Sequence, residues 1–227
     1  MDSGRFTSSD MVSELQQRLE AFSPRSYAQS RCLALYSAAI ATADQPLIIT
    51  AAGIAVGQQV TADQLYEVVL QSYLFLGFPR MLIAAEALDQ AVPGMARRPA
   101  TEPPTGGQVA AWFDRGLSLC QHVYGDTYEK LRSRVEKLAP DVFRWMILEG
   151  YGKVLSRPGL DIVDRELCIV TALMMDNRPA QLHSHIKGAR NVGAPADLLV
   201  QVIDDLGAAA GPGYDEAQHI LAQLEES

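Results

Sequence analysis

Apolar residues recur every three or four positions along almost the whole chain, and almost no segment alternates between apolar and polar residues as a β-strand does. The first such stripe consists of Val12, Leu15, Leu19 and Phe22, and Asp10 stands where an N-cap would begin that helix. Further helix starts are indicated at Thr61, Pro140, Asp161 and Pro179. The sequence therefore predicts an all-α protein, a bundle of helices.

The charge of the chain limits what it can bind. The 227 residues carry a formal net charge of -8, and no Lys or Arg occurs between Cys32 and Pro79. Nucleic acids and anionic membranes are bound by concentrated Lys and Arg, so we expect neither as a partner. A small anionic substrate is compatible with this charge, because one buried arginine can dominate the field around it.

Nothing in the sequence indicates a membrane segment. The opening residues, MDSGRFTSSD, lack the apolar stretch of a signal peptide. The most apolar region, residues 33–57, is interrupted by Asp44, Gln45 and Pro46, and each half is shorter than the roughly 20 residues that cross a bilayer. We therefore expect this region to form buried helices.

The sequence contains three cysteines, Cys32, Cys120 and Cys168. They are widely spaced and form neither a CxxC pair nor a zinc-binding pattern. We therefore expect reduced thiols in a cytoplasmic protein that holds no metal ion.

The chain resembles itself when it is shifted by 134 positions. Under that shift residues 31–88 align with residues 165–222 without a gap. TADQL (residues 61–65) then aligns with PADLL (residues 195–199), and Gly77 aligns with Gly211. Such self-similarity predicts two tandem copies of one helical unit. The alternative is two unrelated amphipathic bundles that agree through their periodicity alone.

The boundaries of the two units follow from composition. Residues 91–107 are rich in Pro and Gly and poorly periodic, which indicates a linker. We therefore predict an N-terminal unit over residues 1–90 and a C-terminal unit, with preceding helices, over residues 108–227.

Two helical patterns in the C-terminal unit, residues 162–175 and 179–192, are joined by a short link. So short a link predicts an antiparallel helical hairpin. Residues equally far from the turn lie at the same height in such a hairpin, which predicts that Glu166 lies beside His185. A carboxylate orients the tautomer of an adjacent imidazole and raises its basicity, an arrangement suited to general acid–base catalysis.

Two polar residues share the helix face of His185. Gln181 and Arg178 precede it by four and seven positions. Gln181 can donate to a substrate oxygen, and Arg178 can bind a substrate carboxylate through two parallel hydrogen bonds. The plainer alternative is that His185 is a hydrogen-bonded core residue and Arg178 a solvated one. His183 points to the other side of the helix, so a shared metal site is not expected.

Aromatic residues precede the hairpin, at Trp112, Tyr124, Tyr128 and Trp145. They are candidates for the walls of a pocket beside His185. Their helical spacing is equally typical of plain core.

The C-terminal unit resembles the carboxymuconolactone decarboxylase family, which includes the alkylhydroperoxidase D-like proteins. The resemblance rests on SRPGLDIVDREL, on RPAQLHSHIKGARNVGAPADLL and on the glycine at 211, and a fainter version covers QLYEVVLQSYLFLGFP in the N-terminal unit. It implies an all-helical fold and assembly as a ring. Since single-unit members often form hexamers, a chain of two units is expected to build the same ring as a homotrimer.

The peroxidase branch of the family carries Cys-x2-Cys-x3-His on the second helix of the hairpin and a glutamate on the first. In this chain Glu166 and His185 take the glutamate and histidine positions, but Arg178 and Gln181 take those of the cysteines. Without two vicinal thiols there is no disulfide cycle to reduce a peroxide. The resemblance therefore disfavours a thiol oxidoreductase, which stays as an alternative through an unusual use of Cys168 or Cys120.

The decarboxylase branch resembles this chain at residues 157–161, Arg165, Arg178 and His185. It departs at Gln181, where that branch has an acidic residue, and at Glu166, where it has a small one. The resemblance implies a carbon–carbon lyase that needs no cofactor and acts on a small carboxylated lactone or keto acid.

In that interpretation His185 transfers a proton at the carbon next to a carbonyl, and Glu166 orients the imidazole. Arg178 and Gln181 hold the substrate. A further alternative is a non-catalytic protein that binds a small acid.

The N-terminal unit lacks the polar pair. Under the same shift Ala51 takes the place of His185 and Cys32 takes that of Glu166. We therefore expect this unit to serve packing and assembly, with Glu67 at a surface or an interface.

Overall fold

The computed structural model describes residues 7–94 and 102–225, and within these ranges the chain is helical and contains no β-strand. The prediction of an all-α protein is confirmed. The α-helices are α1 Ser8–Ala21, α2 Ala28–Thr42, α3 Gln45–Gly57, α4 Ala62–Ala91, α5 Gly106–Tyr124, α6 Tyr128–Leu138, α7 Pro140–Trp145, α8 Ile162–Met175, α9 Pro179–Asn191, α10 Ala196–Leu206 and α11 Pro212–Glu225. A π-helix, Met146–Leu155, continues α7. Of the predicted linker, residues 95–101 lie outside the described ranges.

The helix starts follow the predicted signals, with one correction. The later starts begin at or directly after Thr61, Pro140, Asp161 and Pro179. The assignment of Asp10 as the first cap is wrong. Thr7 is the N-cap of α1, its hydroxyl accepts from the Asp10 N–H at 3.2 Å, and the Asp10 carboxylate accepts from the Thr7 N–H at 2.9 Å. Both residue types cap helices, and here they do so together as a capping box.

Helices α2 and α8 form the centre of the fold. Every residue from Cys32 to Ala41 in α2 is buried, and so is every residue from Arg165 to Met175 in α8. A helix that is buried on all sides lies in the middle of a bundle. The expectation of buried helices in residues 33–57 is met by α2 and by the inner face of α3, where Leu47 and Ile48 are buried.

The two central helices hold each other through reciprocal hydrogen bonds. The Ser37 hydroxyl donates to the carbonyl of Cys168 at 2.7 Å, and the Thr171 hydroxyl donates to the carbonyl of Ala34 at 2.8 Å. The shift of 134 positions takes Ser37 to Thr171 and Ala34 to Cys168. The same shift takes the bounds of α3 to those of α9 and the bend of α4 at Gly77 to the glycine that precedes α11.

In each half of the chain an arginine donates to one carboxylate and one amide of the other half. The pairs are Arg31 with Asp205 (2.6 Å) and Gln201 (3.0 Å), and Arg165 with Glu67 (2.9 Å) and Gln71 (3.2 Å). The shift of 134 positions takes Arg31 to Arg165, and it takes the two partner positions in one half to the two partner positions in the other. The acidic residue and the amide residue exchange places between the two halves. The two-unit organisation stays a prediction, and these equivalent contacts support it.

Helix α4 is, among the described residues, long and apolar enough to cross a membrane. Its backbone leaves the helical region at Gly77 (φ 81°, ψ 164°), so it consists of two straight pieces. Each piece is shorter than the roughly 20 residues that span a bilayer. Core helices of bundles meet the same criteria of length and composition, so α4 is weak support for a membrane segment.

Helix α5 packs against the π-helix backbone to backbone. A β-carbon at Gly116 would collide with the carbonyl of Ile147, and Gly152 allows the same close approach from the other side. This contact brings Tyr124, at the end of α5, to Tyr151 of the π-helix, with ring centroids 6.3 Å apart. These two tyrosines form one side of the site described below.

Candidate active site

His185 and Glu166 form a buried pair between the two helices of the C-terminal hairpin. Nδ1 of His185, on α9, lies 2.8 Å from Oε2 of Glu166, on α8. Glu166 is 0% exposed and His185 is 4% exposed. The structure thus brings together the two residues that the hairpin geometry predicted as neighbours.

The hydrogen bond between them determines which nitrogen of the neutral imidazole carries the proton. When Nδ1 donates to Glu166, Nε2 keeps its lone pair. The imidazole also borders a cavity, where it meets any molecule bound there. Oε1 of Glu166 has no hydrogen-bond partner among the described residues, so it can accept a hydrogen bond from a further donor.

The cavity beside His185 has a volume of about 490 Å³ and is lined mainly by apolar and aromatic side chains. The ring of Phe75 meets the imidazole edge-on, with centroids 5.4 Å apart and planes at 89°. Tyr124 approaches it from another side at 6.3 Å. Such a cavity binds molecules whose surface is largely apolar.

The wall of the cavity carries a negative charge. Neither Lys nor Arg is among its lining residues in the described part of the chain, and Glu149 contributes a carboxylate. The hydroxyl of Tyr73 donates to that carboxylate at 2.9 Å. An anionic group bound in the cavity therefore receives no neutralising cation from the walls.

Two phenols of the wall stay protonated at neutral pH. Burial raises the pKa of Tyr124 to about 12, and burial also raises the pKa of Tyr151 well above its ordinary value. A protonated phenol can donate to an oxygen on which negative charge develops.

The structure separates the two predicted substrate-binding residues. Gln181 lines the cavity together with His185. The side chain of Arg178 is 61% exposed, does not line the cavity, and donates to Asp176 at 2.7 Å. Burial alone would raise the pKa of Asp176, but hydrogen bonds from Arg80 and Arg178 lower it overall. The role of Arg178 as a carboxylate anchor stays a prediction, and its position in the chain fold gives that role no support.

Of the four aromatic residues singled out in the sequence, Tyr124 and Trp145 line the cavity, whereas Trp112 and Tyr128 do not. The opposite wall of the cavity, which α4 supplies, has no signal in the sequence. That wall includes Tyr73, Phe75 and Phe78. The site therefore lies between the two halves of one chain, and the N-terminal half contributes to it although it lacks the acid–base pair.

His183 lies on the other side of α9 from His185 and is exposed. Across the described residues, no group of three or more His, Cys, Asp or Glu side chains is placed to hold a metal ion. The expectation that the two histidines do not share a metal ion stays a prediction.

Gly188 lets α9 approach the Glu166 carboxylate. A β-carbon at this position would lie 2.9 Å from Oε2 of Glu166 and 2.8 Å from Cγ1 of Val123. We expect Gly188→Ala to displace the carboxylate from His185 and to destabilise the fold by about 1–3 kcal/mol, the usual cost of overpacking. Thermal unfolding measures the second effect, and a structure of the variant measures the distance between Nδ1 and Oε2.

The control for this substitution is Gly53→Ala on α3, where a β-carbon meets nothing within 4 Å. That variant is expected to be unchanged or more stable by up to about 1 kcal/mol, because alanine favours helix. Equal melting temperatures for the two variants would show that the close approach at Gly188 is unimportant.

The three cysteines are buried free thiols with raised pKa values. Burial raises the pKa of Cys32 to about 11 and that of Cys120 to about 12, and burial raises the pKa of Cys168 well above its ordinary value. Since the thiolate is the reactive form, these side chains are poor nucleophiles near neutral pH. They give no support to a thiol-based peroxidase.

We expect the thiols of the folded protein to react with a disulfide reagent at pH 8 at least about 100-fold more slowly than those of the unfolded chain, because burial blocks access and raises the pKa. The disulfide reagent releases a coloured thiolate when it reacts. Its absorbance, recorded with and without denaturant, measures the rates for the unfolded and the folded chain. A native thiol that reacts as fast as in the unfolded chain would restore the oxidoreductase alternative.

Comparison with known proteins finds similarity in the C-terminal part of the chain. Residues 140–226 match the sequence model of the carboxymuconolactone decarboxylase family, and this segment contains both α8 and α9. A relative, Peroxisomal protein 2 of Schizosaccharomyces pombe, is 26% identical over 145 residues, which cover 60% of this chain and 64% of the relative. The chain thus aligns with less than two thirds of that protein's length. Glu166 and His185 both lie inside the segment that matches the carboxymuconolactone decarboxylase family.

Proposed function

We propose that the chain is an enzyme that performs cofactor-independent acid–base chemistry at a carbon next to a carbonyl. The observation that carries this proposal is the buried pair of His185 and Glu166, 2.8 Å apart, at the wall of a mainly apolar cavity. In this role His185 transfers the proton, and Glu166 holds the imidazole in one tautomer and stabilises its charged form. Both residues lie in the segment that matches the decarboxylase family.

The reaction we propose is decarboxylation of a β-keto acid or an unsaturated lactone acid. The bond between the α-carbon and the carboxylate breaks, carbon dioxide leaves, and the electron pair stays on the α-carbon as an enolate. Protonated His185 then delivers a proton to that carbon. Gln181 and the pair of Tyr124 and Tyr151 line the cavity and can donate to the enolate oxygen. The two tyrosine hydroxyls hydrogen-bond each other, so one proton of the pair is free for this donation.

The cavity favours a substrate that is apolar apart from its reacting group. No lining Lys or Arg of the described chain offsets a carboxylate, and Glu149 disfavours one. When carbon dioxide leaves, the negative charge passes to the enolate, and the proton from His185 then neutralises it. Burial of the charge therefore disfavours the carboxylate substrate relative to the uncharged products.

A panel of β-keto acids and unsaturated lactone acids with apolar substituents of increasing size tests the proposal. Carbon dioxide release and loss of absorbance measure turnover. We expect His185→Ala to lower turnover by at least about 100-fold, because a general acid–base group contributes about that much or more. His219→Ala removes an exposed histidine of α11 and is the matched control, with turnover unchanged.

A second candidate function is the binding of an apolar small molecule without turnover. The aromatic lining of the cavity favours it, and so does the absence of a lining cation among the described residues. Binding of panel compounds without carbon dioxide release would support this function. Turnover that His185→Ala leaves unchanged would contradict the acid–base mechanism itself.

We also propose that the chain forms a homo-oligomer. Three apolar side chains near the cavity are largely exposed, namely Phe78 (60%), Leu82 (57%) and Trp145 (61%). Clustered exposed apolar groups mark interaction surfaces. Light scattering of the full chain tests the proposal, with a trimer as the expected mass and a monomer as the contradicting one.

We propose that the protein is located in the cytoplasm, because that compartment keeps thiols reduced and the three cysteines are free thiols. The named relative is a peroxisomal protein, so the peroxisome is the alternative. A diffuse signal from a fluorescent fusion of the full chain would support the first, and a punctate signal that overlaps a peroxisomal marker would support the second.

A further inference from the structure

A groove of about 380 Å³ lies between α6 and α9, on the other side of α9 from His185. Its floor includes Val123 and Leu131, and its rim includes the turn that follows α5. Tyr124 lines both this groove and the His185 cavity. Nothing in the proposed acid–base mechanism uses the groove.

Basic side chains from both helices line the groove. Lys130 and Arg134 lie four residues apart on α6, and His183 and Lys187 lie four residues apart on α9. Residues at this spacing are neighbours on one helix face, and like charges there destabilise a helix. Four basic groups thus converge in a chain whose formal net charge is -8.

Carboxylates of the described chain do not neutralise these groups. None of the four takes part in an ion pair there, although neighbouring Arg132 pairs with Glu136 at 3.0 Å. Asp126 also lines the groove, and in the described chain it forms no ion pair with them. The groove therefore has a net positive charge that the fold itself leaves uncompensated.

The neutral polar groups of the groove are already engaged. The hydroxyl of Thr127 donates to the carbonyl of Tyr124, that of Ser184 donates to Ala180, and the amide of Asn191 donates to Val123. An anion in the groove would therefore be held mainly by the basic side chains. Such a site suits a compact ligand with more than one negative charge.

We propose that this groove binds a small anion of the phosphate class, either a free diphosphate or the diphosphate group of a larger molecule. Three of the converging side chains, Lys130, Arg134 and Lys187, are cations, and Arg134 can bind two phosphate oxygens at once. The volume of the groove exceeds that of one phosphate group, which favours the diphosphate.

Calorimetric titration of the full chain with inorganic pyrophosphate, at constant ionic strength, tests the proposal. The groove variant is Lys130→Gln with Lys187→Gln. The control variant, Arg132→Gln with Arg190→Gln, removes the same charge from the same two helices outside the groove. We expect the groove variant to raise the Kd at least about tenfold, since hydrogen bonds to charged groups are the strong ones, and the control to change it less than about twofold.

Three results would overturn the proposal: no binding up to about 10 mM pyrophosphate, equal weakening in both variants, or citrate binding as tightly as pyrophosphate. Each would reduce the groove to a general attraction for anions or to none. A parallel titration with a nucleoside diphosphate identifies the source of the ligand. If the nucleoside diphosphate binds more tightly than pyrophosphate, the ligand is the diphosphate group of a larger molecule. If the two bind equally, the ligand is the free diphosphate.

Discussion

Replacing Glu166 with glutamine is expected to lower turnover by a factor of about 10²–10⁴, the range in which a positioned acid–base pair contributes. The carboxylate accepts from Nδ1 of His185 at 2.8 Å, and it is fully buried, so water cannot substitute for it. A glutamine of the same size keeps the packing but presents an amide with its own N–H donors. It no longer forces the proton onto Nδ1 and no longer stabilises the charged imidazole.

The measurement is turnover of whichever panel compound the wild type converts, with thermal unfolding as a check that the variant folds. Glu149→Gln is informative beside it, because it removes the negative charge at the cavity wall but leaves the His185 pair intact. A loss of turnover at Glu166 alone supports the acid–base assignment. Full activity in Glu166→Gln would show that the pair serves the core and not the chemistry.

Replacing Glu67 with alanine is expected to destabilise the fold by about 3–5 kcal/mol, because it leaves a buried charge without its partner. The charge is that of Arg165, which is 0% exposed and lies 2.9 Å from Glu67. Arg157 donates to the same carboxylate, but its side chain is 39% exposed, so water can compensate its loss. Burial lowers the pKa of Arg165, although the ion pair with Glu67 opposes that shift.

Denaturant unfolding of Glu67→Ala measures this loss. The control is Glu136→Ala, which breaks a pair with Arg132 whose side chains are 48% and 43% exposed. Exposed pairs contribute about 0.2–1 kcal/mol, so the control should unfold nearly as the wild type does.

A double variant, Glu67→Leu with Arg165→Met, is expected to regain much of the stability by replacing the ion pair with apolar groups. If Glu67→Ala unfolds like the control, the buried pair does not hold the two halves together.

Glu67 also illustrates what the sequence could not reveal. Its charge predicted a surface or an interface, and the shift of 134 positions pairs it only with Gln201. In the structure it lies at the interface between the two halves of one chain, since it binds Arg165 and Arg157. These partners are about 90 to 98 positions away, and no local pattern encodes contacts at that separation.

The sequence by itself determined the helical class, most of the helix starts and the neighbourhood of Glu166 and His185. Periodicity and capping residues act within a few positions, so they can be recognised without the fold. The short link between α8 and α9 leaves only one antiparallel arrangement, which is why two residues 19 positions apart could be paired in advance.

Only the tertiary structure decided what surrounds that pair. Helix α4 brings Phe75 and Tyr73 to the cavity from the other half of the chain, and Arg178 binds Asp176 at the surface instead of facing the cavity. Helical spacing predicts Arg178 on the same side as His185, but Arg178 is the N-cap residue of α9 with a non-helical backbone, and its side chain binds a carboxylate in the preceding link. Which of these contacts forms depends on packing between distant helices, and that is settled by shape and burial in three dimensions.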